Sequence, residues 1–321
     1  MMKKDFISID DFTSEELLDV IILAEWLKSN RRTENNPKPL AGRSMAMIFE
    51  KPSLRTRVTF ELAMVELGGH ALECQPPGVR LGQRESLPDM ARNLERWVDI
   101  VIARVFDNAT VRELAANMRL PLINGLCDRE HPCQAVADLQ TVRELSGKRF
   151  PRVKLAFVGD GNNVCNSLLL ICGALGLDVA VASPAGYEPS AEYVERARAR
   201  CKVSGGKLSI GNDPAEAVRG ADFIYTDVWT SMGQEAERQK RHQAFRDFQV
   251  NAKLLSLAAR EHYVLHCLPA HRGEEITDDV IDGPHSRVFD QAENRLHAQK
   301  AVILSLMEPA VAARLVREAN K

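Results

Sequence analysis

The stretch from Ile48 to Leu62 reads IFEKPSLRTRVTFEL. Its apolar start predicts the end of a β-strand, Pro52 predicts a tight turn, and the residues that follow predict the start of a helix. Residues 53–57 would then lie at a helix N-terminus, where backbone N–H groups lack intrahelical partners and carry a partial positive charge. With two hydroxyl and two guanidinium groups added, this turn suits a phosphate-like dianion. The glycines of a P-loop are absent, and a capped helix with exposed arginines is the alternative interpretation.

The composition is that of an ordinary globular chain of about two domains. It has 321 residues, 45% of them apolar and 27% charged, with a net charge of −2. This charge does not indicate a nucleic-acid or anionic-membrane partner, so an anion site must rest on a local group of arginines. Seven cysteines without a CxxC pair argue against a disulfide framework or a zinc ribbon and favour a reducing compartment. We expect no export signal and no membrane span.

Short apolar runs alternate with helical patterns, which predicts an α/β fold of two domains, each a parallel sheet flanked by helices. In the first domain we predict strands at 45–49, 71–74, 100–103 and 122–123, with helices at 14–27, 56–67, 87–97, 109–118 and 132–145. In the second we predict strands at 153–158, 178–182, 207–210, 222–226 and 262–266, with helices at 163–175, 190–202, 213–219 and 251–259. A breaker cluster at 146–151 separates domain 1–147 from domain 148–295. The last helix, predicted at 296–317, should pack back on the first domain.

Polar residues follow two predicted strands of the first domain, at the sheet edge where open α/β sheets bind ligands. Arg104 comes directly after an apolar strand, where it suits an oxyanion, with a surface salt bridge as the alternative. His131 and Gln134 begin the next helix about one turn apart, so their side chains can share one face. Together they suit the carbonyl oxygen and the amide nitrogen of one small ligand, although His131 alone could be an N-cap.

The first strand of the second domain ends in GDGNN at residues 159–163. The dinucleotide pattern GxGxxG fails there, which disfavours a nicotinamide oxidoreductase, while the two asparagines suit a ligand with a carboxylate and an ammonium group. Asp227 and Ser231 follow another strand and suit the same two groups. Cys267 ends a third strand, and a zinc site with His266 is disfavoured because neighbouring strand residues point to opposite faces.

The motifs SLRTR, HPCQ, DVWTSMGQE, HCLP and AENR, in this order, resemble the aspartate/ornithine carbamoyltransferase family over nearly the whole chain. Each motif alone is weak, and the combination is specific. The resemblance implies that carbamoyl phosphate is bound by Ser53, Leu54, Arg55, Thr56, Arg80, Arg104, His131, Gln134, Cys267, Leu268 and Arg295. It implies that ornithine is bound by Asn163, Asp227, Ser231 and Met232. It implies catalytic roles for Arg55, Arg104, His131, Asp227, Cys267 and Arg295.

The activity that this resemblance implies is transfer of the carbamoyl group from carbamoyl phosphate to the δ-amine of L-ornithine, giving L-citrulline and phosphate in arginine biosynthesis. The family implies no metal and no organic cofactor, while the net charge and the lack of a long apolar run indicate no nucleic acid and no membrane. The family also implies an enzyme that forms homotrimers or multiples of trimers. In such trimers the loop around Arg80 would reach the active site of a neighbouring subunit. The unpaired cysteine pattern and the lack of an export signal predict a cytoplasmic location.

Two positions depart from the family pattern and keep alternatives open. Leu54 replaces the usual threonine, and relatives that act on N-acylated ornithine also resemble SLRTR at this point. Arg80 stands where ornithine enzymes often carry glutamine or histidine. The competing acceptors are therefore N-acylornithine, putrescine and aspartate, although Asp227 and the sequence SMG at 231–233 favour free ornithine. The competing class is a regulatory protein that binds carbamoyl phosphate without turnover.

Overall fold

The computed structural model describes residues 4–74, 80–147, 149–231, 233 and 235–321, with the backbone alone at 235. The chain divides into two compact units. One is Met1–Gln140 with Glu293–Lys321, and the other is Thr141–Ala292. Among the described residues, no helix combines the length and the apolar composition needed to cross a bilayer.

The first unit is built on four parallel strands. They are β1 Ser44–Phe49, β2 His70–Glu73, β3 Ile100–Arg104 and β4 Leu122–Leu126, in the sheet order β2-β1-β3-β4. The helices are α1 Ser14–Ser29, α2 Leu54–Glu66, α3 Leu87–Leu94, α4 Asn108–Ala116 and α5 Pro132–Leu145. Phe49 pairs with Arg104 at the ends of β1 and β3. The chain therefore leaves both strands at the same edge of the sheet, next to the start of α2.

The second unit is built on five parallel strands. They are β5 Lys154–Val158, β6 Asp178–Ala182, β7 Leu208–Gly211, β8 Phe223–Thr226 and β9 Tyr263–His266, in the order β7-β6-β5-β8-β9. The helices are α6 Asn163–Leu175, α7 Ala191–Ser204, α8 Pro214–Val218, α9 Arg238–Ala244, α10 Ala252–Leu255 and α11 Asp278–Ile281. Because β5, β8 and β9 are neighbours, the residues after their carboxyl ends lie side by side, where such sheets bind ligands.

Two helices complete the chain. They are α12 Val288–Met307 and α13 Pro309–Ala319. Proline at the first position of α13 has no N–H to continue the ladder of α12, so the helix is interrupted at Glu308. Within the first unit, α13 contacts α1.

Side-chain caps fix where the helices nearest the predicted sites begin. Ser53 Oγ accepts the Thr56 N–H at 3.3 Å at the start of α2. Asn162 Oδ1 accepts the Val164 and Cys165 N–H groups at 3.0 and 3.2 Å at the start of α6. These bonds use helix N–H groups that have no intrahelical acceptor. The sequence therefore sets both helix starts locally.

The predicted α/β fold of two parallel sheets flanked by helices is confirmed. The prediction of one last helix at 296–317 is wrong, because α12 begins eight residues earlier and Pro309 separates it from α13. Arg295 consequently lies inside a helix rather than before one. The predicted helix at 251–259 is short, ending at Leu255, and α9 and α11 were missed because each is too short for a clear helical period.

Candidate active site

Two arginines of the first unit share one acceptor. Arg104 Nη1 donates to Thr56 Oγ1 at 3.2 Å, and Arg295 Nη2 donates to the same oxygen at 2.8 Å. All three side chains are buried, with Arg104 only 7% and Arg295 only 3% exposed. Arg104 lies at the end of β3, Thr56 in the first turn of α2 and Arg295 in the middle of α12. Three segments far apart in the sequence therefore build one cationic cluster around a hydroxyl group.

His131 faces the same cluster. It is buried, and this burial lowers its pKa well below the usual range, as do the nearby charges of Arg295, Arg104 and Arg55. The imidazole is therefore neutral at physiological pH and can donate one hydrogen bond without adding positive charge. The structure thus brings together Arg55, Arg104, Arg295 and His131, as the sequence predicts. Their contacts with a ligand stay a prediction.

Gln134 lies on α5, one turn after His131. Its side chain is buried, and Nε2 donates to Asp138 Oδ1 at 2.8 Å. Among the described residues, Gln134 Oε1 has no hydrogen-bond partner. A buried carbonyl oxygen without a partner is costly, so this atom is suited to accept a hydrogen bond from a ligand.

In the second unit, Asp227 is the centre of a hydrogen-bond group. Asn162 Nδ2 donates to Asp227 Oδ2 at 2.7 Å, Cys267 Sγ donates to Asp227 Oδ1 at 3.0 Å, and the Val228 N–H donates to that oxygen at 2.8 Å. These residues follow the neighbouring strands β5, β8 and β9. Asp227 and Cys267 are therefore brought together, and the carboxylate is suited to accept a further bond from an ammonium group.

Three other predicted ornithine residues have different positions. Asn163 opens α6, and its Oδ1 accepts the Val164 N–H at 3.0 Å. Ser231 is half-buried and follows β8. Met232 lies outside the described residues. Their contacts with ornithine stay predictions.

The prediction that His266 and Cys267 point to opposite faces is wrong. Ligand atoms of Asp227, His266 and Cys267 all lie within 4.8 Å of one another. Strand β9 ends at His266, so the alternation of faces no longer applies to Cys267. Both nitrogens of His266 are nevertheless engaged, Nδ1 with the Leu268 N–H at 2.8 Å and Nε2 with Glu275 Oε1 at 3.0 Å. A metal ion there would have to displace one of these bonds.

Two family models cover most of the chain. The model of the carbamoyl-phosphate-binding domain of aspartate/ornithine carbamoyltransferases matches residues 4–144, and that of the Asp/Orn-binding domain matches residues 152–306. The chain belongs to the aspartate/ornithine carbamoyltransferase family. Thr56, Arg104 and His131 lie in the part matched by the first model. Arg295 and Asp227 lie in the part matched by the second.

Individual members of the carbamoyltransferase family are similar over nearly their whole length. The ornithine carbamoyltransferase of Methanosarcina acetivorans is 50% identical over 95% of this chain and 100% of its own. The anabolic ornithine carbamoyltransferase of Pyrococcus furiosus is 49% identical over 95% of this chain and 96% of its own. The solved structure of ornithine carbamoyltransferase from P. furiosus superposes with a TM-score of 0.92, at 49% identity, covering 95% and 97% of the two chains. The solved structure of ornithine transcarbamoylase from Giardia lamblia superposes with a TM-score of 0.87, at 32% identity, covering 96% of this chain and 99% of its own.

Both departures from the carbamoyltransferase pattern are exposed side chains. The Leu54 side chain is 76% exposed and lies on the same face of α2 as Val58. Arg80 Nη1 pairs with Asp107 Oδ2 at 2.7 Å, and its guanidinium group lies over the Phe106 ring at 4.0 Å. Residues 75–79, which precede Arg80 in the predicted loop, lie outside the described ranges. Carbamoyl-phosphate contacts of Leu54, Arg80, Cys267 and Leu268 stay predictions.

Glu50 is a buried residue that the sequence reasoning missed. Its Oε1 accepts the Leu81 N–H and its Oε2 accepts the Phe106 N–H, both at 2.7 Å. The carboxylate therefore fixes the backbone just after Arg104 and just after Arg80. The sequence signal for Glu50 was its position directly after a buried apolar strand. A carboxylate is costly to bury unless it accepts hydrogen bonds, so this position indicates a structural role.

The sequence reasoning also missed a buried ion pair in the second unit. Arg241 of α9 pairs with Asp160 of GDGNN and donates to the Trp229 carbonyl oxygen. Its guanidinium group lies over the Tyr187 ring at 4.8 Å. Burial raises the pKa of Asp160 to about 6, although Arg241 opposes the shift. This pair connects the segment after Ser231 to the residues just before α6. The sequence did not indicate it, because Arg241 is a single arginine in a polar segment.

Proposed function

We propose that this chain transfers the carbamoyl group of carbamoyl phosphate to the δ-amine of L-ornithine, giving L-citrulline and phosphate. The observation that carries the proposal is the meeting of Arg104 and Arg295 on Thr56 Oγ1, beside Arg55 and His131. Buried cations that share a neutral acceptor form a site for a small anion. Relatives named ornithine carbamoyltransferase, 50% identical over 95% of the chain, support the choice of both substrates.

We assign carbamoyl phosphate to domain 1–147, to which residues from about 296 onward return, and ornithine to domain 148–295. Arg295, at the boundary between these ranges, contributes to the phosphate site. The phosphate takes the N-terminus of α2, where Ser53, Arg55 and the Leu54 N–H lie, together with Arg104 and Arg295. Arginine suits this role because its fork of N–H groups matches phosphate oxygens. His131, as a neutral imidazole, donates to the carbonyl oxygen, on which negative charge develops during the reaction.

Ornithine is held by the group around Asp227. Its α-ammonium pairs with the Asp227 carboxylate, which already accepts bonds from Asn162 and Cys267. Ser231, Asn163 and Met232 complete the ornithine site. The Cys267 thiol orients Asp227 and the amine, and no covalent intermediate on its sulfur is involved.

The attacking δ-amine must be neutral, although a free alkyl ammonium has a pKa of about 10.4. The cations Arg55, Arg104 and Arg295 disfavour a further positive charge and so favour the neutral amine. Its nitrogen forms a bond to the carbonyl carbon, and the bond from that carbon to the phosphate oxygen breaks. The departing phosphate accepts the amine proton. The same arginines stabilise the charge that develops on phosphate.

The cellular setting is also part of the proposal. We place the reaction in arginine biosynthesis, which the anabolic relative of P. furiosus supports. We also propose a reducing, cytoplasmic compartment. No disulfide links the seven cysteines, all of which lie in the described ranges.

We propose that the protein assembles as a homotrimer or a multiple of trimers. Exposed apolar side chains repeat along one face of α2 and continue onto the edge strand β2: Leu54, Val58, Leu62, Val65 and Leu72. We call this surface the α2 face. A contiguous apolar surface and an open strand edge are features that proteins usually cover. Repetition of the contact by three-fold rotation would close the assembly.

The test is citrulline formation by the purified protein with carbamoyl phosphate and, in separate reactions, ornithine, N-acetylornithine, putrescine or aspartate. We expect turnover with ornithine at least about a hundredfold faster than with the others, because N-acetylornithine and putrescine lack the α-ammonium group assigned to Asp227 and aspartate lacks a δ-amine. Arg104→Ala should lower kcat at least about a hundredfold, since a buried donor to the developing charge is lost.

Arg112→Ala, an exposed arginine on α4 of the same unit, is the matched control and should keep full turnover. A faster reaction with one of the other amines would replace ornithine as the acceptor. Tight binding of carbamoyl phosphate without turnover on any amine would favour a regulatory protein instead.

A further inference from the structure

The orientation of the Gln134 amide is set by a second buried residue. Gln134 and Asp138 are one turn apart on α5 and both are fully buried. Gln134 Nε2 donates to Asp138 Oδ1 at 2.8 Å, an i to i+4 contact within the first unit. Gln134 Oε1 has no hydrogen-bond partner in the described part of the chain.

A carboxylate accepts hydrogen bonds and does not donate them, so it distinguishes the two ends of an amide. If the amide of Gln134 were turned over, its oxygen would face the Asp138 oxygen at hydrogen-bonding distance, and two acceptors would repel each other in a medium of low dielectric constant. Asp138 therefore holds the NH2 end of Gln134 toward itself. The other end, Oε1 of a residue one turn after His131 on α5, is therefore always an acceptor.

An acceptor in this position selects for a ligand that carries a donor. Carbamoyl phosphate has an NH2 group where acetyl phosphate has a methyl group of similar size, and the two molecules share the phosphate and the carbonyl oxygen. The arginines and His131 are assigned to the phosphate and the carbonyl oxygen, so they do not distinguish the two molecules. A methyl group opposite Gln134 Oε1 would leave a buried oxygen without a partner, which is the kind of loss that gives strong discrimination.

We propose that Asp138 is a specificity-determining residue: it fixes the amide of Gln134 so that the site accepts carbamoyl phosphate and rejects acyl phosphates. The inference rests on the proposed function, because it takes carbamoyl phosphate as the ligand of this unit. Asp138 itself does not touch the ligand. It acts by positioning Gln134.

The test uses two stable analogues that differ only in this group, phosphonoacetamide with NH2 and acetonylphosphonate with CH3. Calorimetry gives the Kd of each for the wild type and for Asp138→Asn, whose amide can pair with either end of Gln134. We expect the wild type to prefer the amide by more than about tenfold, the value of roughly one buried hydrogen bond. The variant should show a preference below about threefold, since Gln134 can then present its NH2 end.

Three further measurements keep the result interpretable. The Kd of inorganic phosphate should stay within about twofold in Asp138→Asn, because the arginine cluster is unchanged. Asp99→Asn, which removes a carboxylate bonded to the Ser44 N–H at 2.8 Å in the same unit, should leave the selectivity unchanged. If Asp138→Asn does not fold, Gln134→Met should abolish the preference in a protein that keeps Asp138.

An unchanged preference in Asp138→Asn, or in Gln134→Met, would overturn the role of Asp138 while leaving the proposed function intact. A wild type that binds neither analogue and forms no citrulline would overturn the proposed function and this inference with it.

Discussion

Arg104 and Arg295 donate to the same atom, Thr56 Oγ1, at 3.2 and 2.8 Å. One comes from the end of a strand and the other from the middle of a helix near the C-terminus. Two buried guanidinium groups this close repel each other, and a hydroxyl oxygen offsets only part of that repulsion. A bound dianion would reduce this repulsion, so the arrangement suits an anionic ligand.

Thr56→Val tests this arrangement with a side chain of the same shape. Loss of the shared acceptor should let the two guanidinium groups separate. We expect kcat/KM for carbamoyl phosphate to fall about tenfold or more, the equivalent of one or more buried hydrogen bonds to charged groups. The measurement is steady-state citrulline formation. Thr59→Val is the control, because the Thr59 hydroxyl donates to the Arg55 carbonyl oxygen on the same helix, and near wild-type kinetics are expected. Equal losses in both variants would count against the shared-acceptor role.

Asp227→Asn tests the ornithine site. The change keeps the size of the side chain and removes the charge that we assign to the α-ammonium. We expect the KM for ornithine to rise at least about tenfold, because a charge-assisted bond becomes a neutral one. The Kd of phosphonoacetamide should stay within about twofold, since that ligand is assigned to the other unit. Asp222→Asn, which removes an acceptor for the Lys154 N–H at 2.8 Å in the same unit, should leave the ornithine KM unchanged. A rise in the Kd for phosphonoacetamide equal to that in the ornithine KM would contradict this assignment.

His297 gives a prediction about pH. It is fully buried on α12, and burial lowers its pKa to about 3, with further lowering by Lys300, Lys28 and Arg31. An unfolded histidine titrates near a pKa of about 6.5. Between these two values the unfolded chain binds a proton that the folded chain does not. The stability is therefore fully present above pH of about 6.5 and falls as the pH decreases below it.

Removal of this histidine should therefore weaken the loss of stability in acid. The slope between pH 6.5 and 5 should be smaller in His297→Gln by up to about 1.4 kcal/mol per pH unit. Thermal melting across that range measures the difference, as the change of Tm with pH. His271→Gln, an exposed histidine of the other unit, should retain the wild-type slope. An identical slope in His297→Gln would show that the buried imidazole does not control the pH response.

The α2 face gives a prediction about assembly. Val58→Glu places a charge in the middle of this face, and burial of an unpaired charge is costly. We expect the variant to sediment as a smaller species than the wild type in analytical ultracentrifugation. Val203→Glu introduces the same charge at a valine that is 90% exposed on α7, and it should sediment like the wild type. A Val58→Glu protein with the wild-type mass would place the assembly contact elsewhere.

The local sequence was sufficient for most of the elements. Helices α5 and α6 and strand β6 have the predicted bounds, because each has a clear hydrophobic period, a cap or a breaker at its ends. The last helix was predicted wrongly, because residues before Arg295 continue the helix without a local signal that marks its start. Short helices such as α9 have too few residues for a period to be visible.

The chain alone also predicted residues for the candidate chemistry, because arginines, a histidine and a carboxylate follow strands or begin helices, at the sheet edge where such folds bind ligands. The sequence did not determine which of these groups contact one another. Thr56 as the shared acceptor of Arg104 and Arg295, and Asn162 as the partner of Asp227, depend on how separate elements pack. Hydrophobic periodicity and capping act over a few residues, so the sequence alone determines them. A hydrogen bond between side chains far apart in the sequence requires their atoms to come within about 3 Å, and only the tertiary structure decides whether they do.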